Sequence, residues 1–145
     1  MVLKFEAMED TVQHEARGGK GDILSRLFAD DMAKIMVGRM APGCSIGFHQ
    51  HEDSCEMIYI LEGEADFLYD DGTEIVRAGE CQYCPKGHWH SMRNNSDKDI
   101  VYFAVIPKQW FSGNIKHRSA ADLCFAVFII RSFRTGRGCR RSLRG

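Results

Sequence analysis

Between residues 33 and 106 the chain falls into short runs of alternating apolar and polar residues, and Gly, Pro or Asp separates most of them. The runs cover residues 33–40, 45–51, 56–61, 65–69, 74–77, 81–84, 90–94 and 100–106. A period of two marks half-buried strands, and no helical period crosses this region. Many short strands with turn residues between them predict an antiparallel sandwich or barrel, so the fold class is all-β. Pro42-Gly43 ends the first run as a turn. Asp70-Asp71-Gly72 predicts a tight hairpin in which Gly72 takes the positive φ. Pro85-Lys86-Gly87 predicts a type I reversal with glycine in fourth place.

The flanks read differently. Residues 23–31 fit either a short strand or one or two helical turns. The first 22 residues are polar and contain Arg17-Gly18-Gly19-Lys20-Gly21. A phosphate loop would need Ser or Thr after the lysine and a hydrophobic strand before the glycines, so a flexible turn is expected instead. We therefore divide the chain into an N-terminal segment packing on the barrel (1–33), the barrel (34–113) and a tail (114–145). Trp110-Phe111 is placed at the barrel end. The tail ends in RSFRTGRGCRRSLRG and is expected to be disordered or weakly docked, or a non-native end of the reading frame.

Composition excludes several classes. Residues 1–113 carry eleven Lys/Arg against nineteen Asp/Glu, which argues against nucleic-acid binding by the barrel. The longest apolar run, residues 123–130, holds eight residues and is too short to span a bilayer, so no membrane partner is expected. The N-terminus lacks the apolar stretch of a secretory signal, which predicts a cytoplasmic protein. Six cysteines in that setting are expected as free thiols. Cys81 and Cys84 form a C-x-x-C, but residues three apart on a strand point to opposite faces. They are read as packing, and so is Cys55.

Two stretches concentrate the chemistry. GCSIGFHQHEDSCEMIYILEG (43–63) holds His49, His51 and Glu56, and GECQYCPKGHWHSMRN (79–94) adds His90. Three imidazoles and a carboxylate form an N3O donor set that suits Mn, Fe, Co, Ni, Cu or Zn. His49 and His51, one residue apart on a strand, project from one face about 7 Å apart. Glu56 follows the turn Glu52-Asp53-Ser54, and His90 comes from a distant strand. Two positions on an octahedral ion would stay open for water, oxygen or a chelating substrate.

Gly43-x5-His49-x-His51-x4-Glu56-x6-Gly63 resembles the first motif of the cupin superfamily, and Gly79-x5-Pro85-x-Gly87-x2-His90-x3-Asn94 resembles the second. All ten positions are present, and 15 residues separate the motifs, as in compact single-domain bacterial monocupins. The resemblance implies a double-stranded β-helix, or jelly-roll barrel, and a homodimer. It also implies one divalent transition metal ion, Mn or Fe before Ni, Co, Cu or Zn, held inside by His49, His51, Glu56 and His90.

Counting in twos puts Ile58 and Ile60, Met92, and Gly47 and Ser45 inside, with Phe48, Tyr59 and Trp89 outside. Arg39 is the candidate counter-charge for an anionic small-molecule ligand, with a surface salt bridge as the alternative. Ile58 and Met92 are candidate substrate contacts. His88 is read either as a proton-transfer group behind the ligands or as a turn residue near the mouth. His14 and His117 receive no role, and no catalytic acid or base is assigned. Superfamily breadth leaves the reaction open. A metal-dependent dioxygenase or decarboxylase acting on a small oxygen-rich molecule leads, and a non-catalytic module binding a sugar or acid is the alternative. Oxalate-degrading cupins carry an arginine a few residues before the first histidine, where Ser45-Ile46-Gly47-Phe48 stands here; this speaks against oxalate chemistry.

Overall fold

A computed structural model describes residues 1–108; the expected tail and Trp110-Phe111 lie outside the described residues. The described chain forms ten strands: β1 (Thr11–His14), β2 (Asp22–Ala29), β3 (Ala33–Met40), β4 (Ser45–Gln50), β5 (Glu56–Glu62), β6 (Glu64–Tyr69), β7 (Gly72–Arg77), β8 (Cys81–Cys84), β9 (Trp89–Arg93) and β10 (Ile100–Pro107). One sheet has the order β1-β2-β3-β10-β5-β8 and the other β4-β9-β6-β7, and the strand pairings in both are antiparallel. Two such sheets, with sequence-distant strands side by side, make the jelly-roll β-helix.

The core lies between the sheets. Ile23, Met36, Met40, Ile58, Ile60, Ile100, Tyr102 and Ala104 come from the larger sheet, and Ala65, Phe67, Val76 and Met92 from the smaller. On β3 the inward set is Met36, Gly38 and Met40; on β10 it is Ile100, Tyr102 and Ala104. Gly38 is required there, because a Cβ would meet the Tyr102 ring at 2.2 Å. The glycine opens the space that the tyrosine fills.

The N-terminal residues do more than pack on a barrel. β2 pairs with β3 from Ile23↔Met40 to Ala29↔Lys34, and β1 pairs outside β2, so residues 11–29 supply two strands of the larger sheet. The glycine-rich stretch is not a free turn either. Lys20 N–H donates to the Ser45 carbonyl at 3.2 Å, and Ser45 N–H donates to the Lys20 carbonyl at 2.8 Å. Cβ atoms on Gly19 and Gly47 would lie 2.0 Å from the Ser45 oxygen and 2.1 Å from the Arg17 oxygen. The glycines thus serve close backbone approach to β4.

Two turns differ from expectation. In the β6–β7 hairpin Tyr69 pairs with Gly72, so the loop is Asp70-Asp71, and the left-handed residue is Asp70 (φ 48°). Asp tolerates that conformation, and its carboxylate accepts from Trp89 N–H at 3.0 Å and the His88 ring at 2.7 Å. In the second turn His88 N–H bonds the Pro85 carbonyl at 3.2 Å, which puts Gly87 third, at φ 87°. Positive φ at the third position makes this a type II turn rather than type I.

Candidate metal centre

Four donors converge at one end of the space between the sheets. His49 on β4 lies opposite His90 on β9 in register. His51, just past β4, is clamped by backbone bonds: its N–H donates to the His88 carbonyl at 3.1 Å, and Gly87 N–H donates to its carbonyl at 2.7 Å. Glu56 opens β5 in the facing sheet. The ligating atoms of His49, His51, Glu56 and His90 all lie within 4.8 Å of one another, and all but His49 are buried.

The other ring nitrogens are engaged. His49 Nδ1 donates to the Gly47 carbonyl at 2.9 Å, so its proton sits there and Nε2 offers a lone pair. His90 Nδ1 lies 3.1 Å from the Gln82 amide oxygen, and His51 Nδ1 lies 3.0 Å from Ser54 Oγ. With Nδ1 protonated on both, the Nε2 lone pairs of His51 and His90 face each other across 3.0 Å beside the Glu56 carboxylate. Such an arrangement is repulsive without a proton or a cation between the atoms.

The spacing of three of the donors fits a cation. Donors at right angles around an ion, about 2.1 Å from it, lie about 3.0 Å apart, against about 3.4 Å at tetrahedral corners. Here His51 Nε2 and His90 Nε2 are 3.0 Å apart and lie 3.1 and 2.9 Å from Glu56 Oε2. Charge agrees. Burial pushes the Glu56 carboxyl up, but in the metal-free chain donation from a proton on His51 or His90 Nε2 outweighs it and holds the group at about 2; a cation would take that proton's place. Burial holds the His49 imidazole below its ordinary value, as a metal ligand requires.

A cavity of about 570 Å³ opens onto this cluster. His49, His51 and Glu56 line it together with Leu27, Met36, Ile46 and Tyr102, and Arg17, Lys34 and Lys108 supply positive groups. Burial pushes the Tyr102 phenol well above its ordinary value, so that wall carries a neutral hydroxyl.

The other sequence candidates separate. Arg39 does not face the cavity: it is exposed and pairs with Asp99 at 3.1 Å. β3 turns Met36, Gly38 and Met40 inward, so odd-numbered Arg39 projects outward, and the cation of that strand on the cavity is Lys34. Ile58 and Met92 are buried in the core but do not line the cavity. The His88 side chain points away from the donors, bonding Asp70 at 2.7 Å and stacking on Tyr69. Phe48 and Trp89 are exposed, stacked on each other. The expectation that Gly47 and Ser45 face inward fails. Ile46 pairs with Met92 and His49 with His90, so β4 has one extra residue, and this bulge turns Ile46 to the cavity.

Cys81 is exposed and Cys84 buried, both as free thiols, and neither joins the donor cluster. Burial, then the charge of Glu56, pushes the Cys84 thiol up to about 12. Sequence reading missed Ser54, Gln82, Lys34, Arg17 and Tyr102. Gln82 and Lys34 were accessible to it, because the period of two puts each on the inward parity of its strand, with Cys84 on β8 and Met36 on β3. Arg17 was not, since its place depends on a left-handed backbone (φ 57°) and on glycine contacts from another strand.

The two antiparallel sheets and the buried His3Glu cluster define a double-stranded β-helix with a candidate metal centre. Comparison with known proteins agrees. The family described as a cupin domain matches residues 36–106. An oxalate-binding protein from Thermotoga maritima is 35% identical over 113 residues, covering 73% of this chain and 93% of that protein. The chain belongs to the cupin family. A crystal structure described as a predicted oxalate decarboxylase from Thermotoga maritima superposes with a TM-score of 0.71 at 28% identity, covering 75% of this chain and all of that one. The polyketide cyclase RemF from Streptomyces resistomycificus shares the fold, with a TM-score of 0.63 at 22% identity over 79% of this chain and 87% of its own.

Proposed function

We propose that this cupin holds one divalent transition metal ion, Mn or Fe by preference, on His49, His51, Glu56 and His90. It binds a small oxygen-rich molecule there and acts on it as a dioxygenase or decarboxylase. The observation that carries the reading is the pair of buried Nε2 atoms facing each other at 3.0 Å beside the Glu56 carboxylate, at the end of an open cavity. A bound cation supplies Lewis acidity toward the chelating oxygens of the ligand. The chain supplies the rest. Gln82, Ser54 and the Gly47 carbonyl fix the rings, Leu27 and Met36 exclude water from one wall, and Tyr102 keeps a neutral phenol on the cavity. Lys34 and Arg17 attract an anionic ligand.

A second reading has its own support: the oxalate-binding relative is named for binding. On that reading the same centre captures a small acid without turnover. Elemental analysis of protein purified without added metal, followed by oxygen-uptake and carbon-dioxide assays against small keto acids and diketones, tests both. We expect about one ion per chain in the wild type and none in His51→Ala, with metal-dependent turnover. Metal-dependent binding with no product leaves the capture reading, and a wild type without affinity for any of these metals sinks both. Light scattering checks the expected homodimer.

A further inference from the structure

The cavity beside the donors is large for a two-carbon diacid. A water occupies about 30 Å³ in the liquid, and a diacid of that size fills on the order of two or three such volumes. The cavity here measures about 570 Å³, within the range of pockets that bury drug-sized ligands. Its lining is mixed: Gln50, Ser54, Arg17 and Lys34 are polar, and one strip of it is apolar. Leu27 pairs with Met36 across β2 and β3, and Ile106 pairs with Lys34 across β10 and β3. Ile46 joins them from the other sheet through the β4 bulge, and the Tyr102 ring fills the space Gly38 leaves. All of these side chains line the same cavity as His49, His51 and Glu56. The positive groups Lys34 and Arg17 are exposed rather than buried beside the donors.

We infer that the ligand of this site is an amphipathic chelator. It has a bidentate oxygen head, of the α-keto acid, β-diketone or hydroxamate kind, and an aryl or medium alkyl body that lies along Leu27, Met36, Ile46 and Ile106. A compact diacid bound through two oxygens would fill a small part of the cavity and leave the apolar strip facing water. An aryl or alkyl body instead removes that strip from water, and apolar burial is what the strip rewards. The assignment rests on the metal-chelating reading above and narrows its substrate class.

The experiment uses Mn(II)-loaded full-length protein and four probes: oxalate, acetohydroxamic acid, hexanohydroxamic acid and benzohydroxamic acid. Calorimetry gives Kd for each, with metal-stripped protein in parallel. Each buried methylene should tighten Kd about fourfold, so hexanohydroxamate should bind on the order of a hundredfold more tightly than acetohydroxamate. Benzohydroxamate should show a similar gain, and oxalate should rank with acetohydroxamate. Leu27→Ser should lose about tenfold of the hexanohydroxamate gain while keeping wild-type metal content and acetohydroxamate affinity. If that variant does not fold, the probe series on the wild type decides alone. Equal affinity across the series in the loaded protein, or oxalate as the tightest probe, overturns the proposal and leaves the metal reading intact. Acetohydroxamate that binds stripped and loaded protein equally well overturns the chelating head assigned here, and with it the metal-chelating reading.

Discussion

Which nitrogen of an imidazole meets a cation is decided by what the other nitrogen holds. Here a carbonyl, an amide oxygen and a hydroxyl hold the three Nδ1 atoms, so all three Nε2 atoms are free to converge. The other histidine of the second motif region, His88, is occupied elsewhere. A hydrogen bond from His88, then one from Trp89 N–H, holds the Asp70 carboxyl below its ordinary value of 3.8. The folded chain thus favours the ionised carboxylate. This contribution to stability is fully present above the ordinary carboxylate value and is lost as pH falls through the depressed one. In His88→Ala the Asp70 midpoint, followed by carboxyl NMR, should rise toward 3.8 while metal content stays at the wild-type level. An unchanged midpoint would remove the hydrogen bond from the account, and loss of metal would return His88 to the centre.

At the scale of elements, the strands between residues 33 and 106 were legible because each presents one face to a closed core, and that imposes a period of two. The same parity places Ile58, Met92 and Glu56 inward and could have placed Arg39 outward. Three things were not legible. β1 is polar and exposed along its length, so it carries no alternation to read. β2 turns Ser25 into the core between Ile23 and Leu27, which blurs its apolar face. The β4 bulge leaves no mark in the sequence beyond Gly47, and only the pairing with β9 reveals it. That glycine tests the docking of residues 16–21 on β4. In Gly47→Ala the new methyl would meet the Arg17 carbonyl at 2.1 Å, and backbone must move to relieve it. Overpacking of this kind costs about 1–3 kcal/mol, measurable by urea unfolding. Metal content should survive, because the Gly47 carbonyl that holds His49 is retained. A variant as stable as the wild type would show that the segment is not held there.

For the whole molecule, the centre ties the two sheets together, since His49 and His90 belong to one and Glu56 to the other. An ion that needs all of these donors binds the folded chain and not the unfolded one, so its binding free energy becomes stability. At a free metal concentration a hundred times Kd the gain is about 2.7 kcal/mol. For a domain of this size that moves Tm upward on the order of 10 °C. Chelator-stripped protein titrated with Mn(II) should therefore show a Tm that climbs with the logarithm of metal concentration. His51→Ala should keep a flat Tm across the same titration. Removing that ring also removes one of the two opposed lone pairs, so the metal-free variant should melt no lower than a cavity of one imidazole requires. A wild-type Tm indifferent to every divalent metal tried would mean that the three rings and the carboxylate are held together for packing alone, and the geometry at 2.9 to 3.1 Å would then need a shared proton in place of an ion.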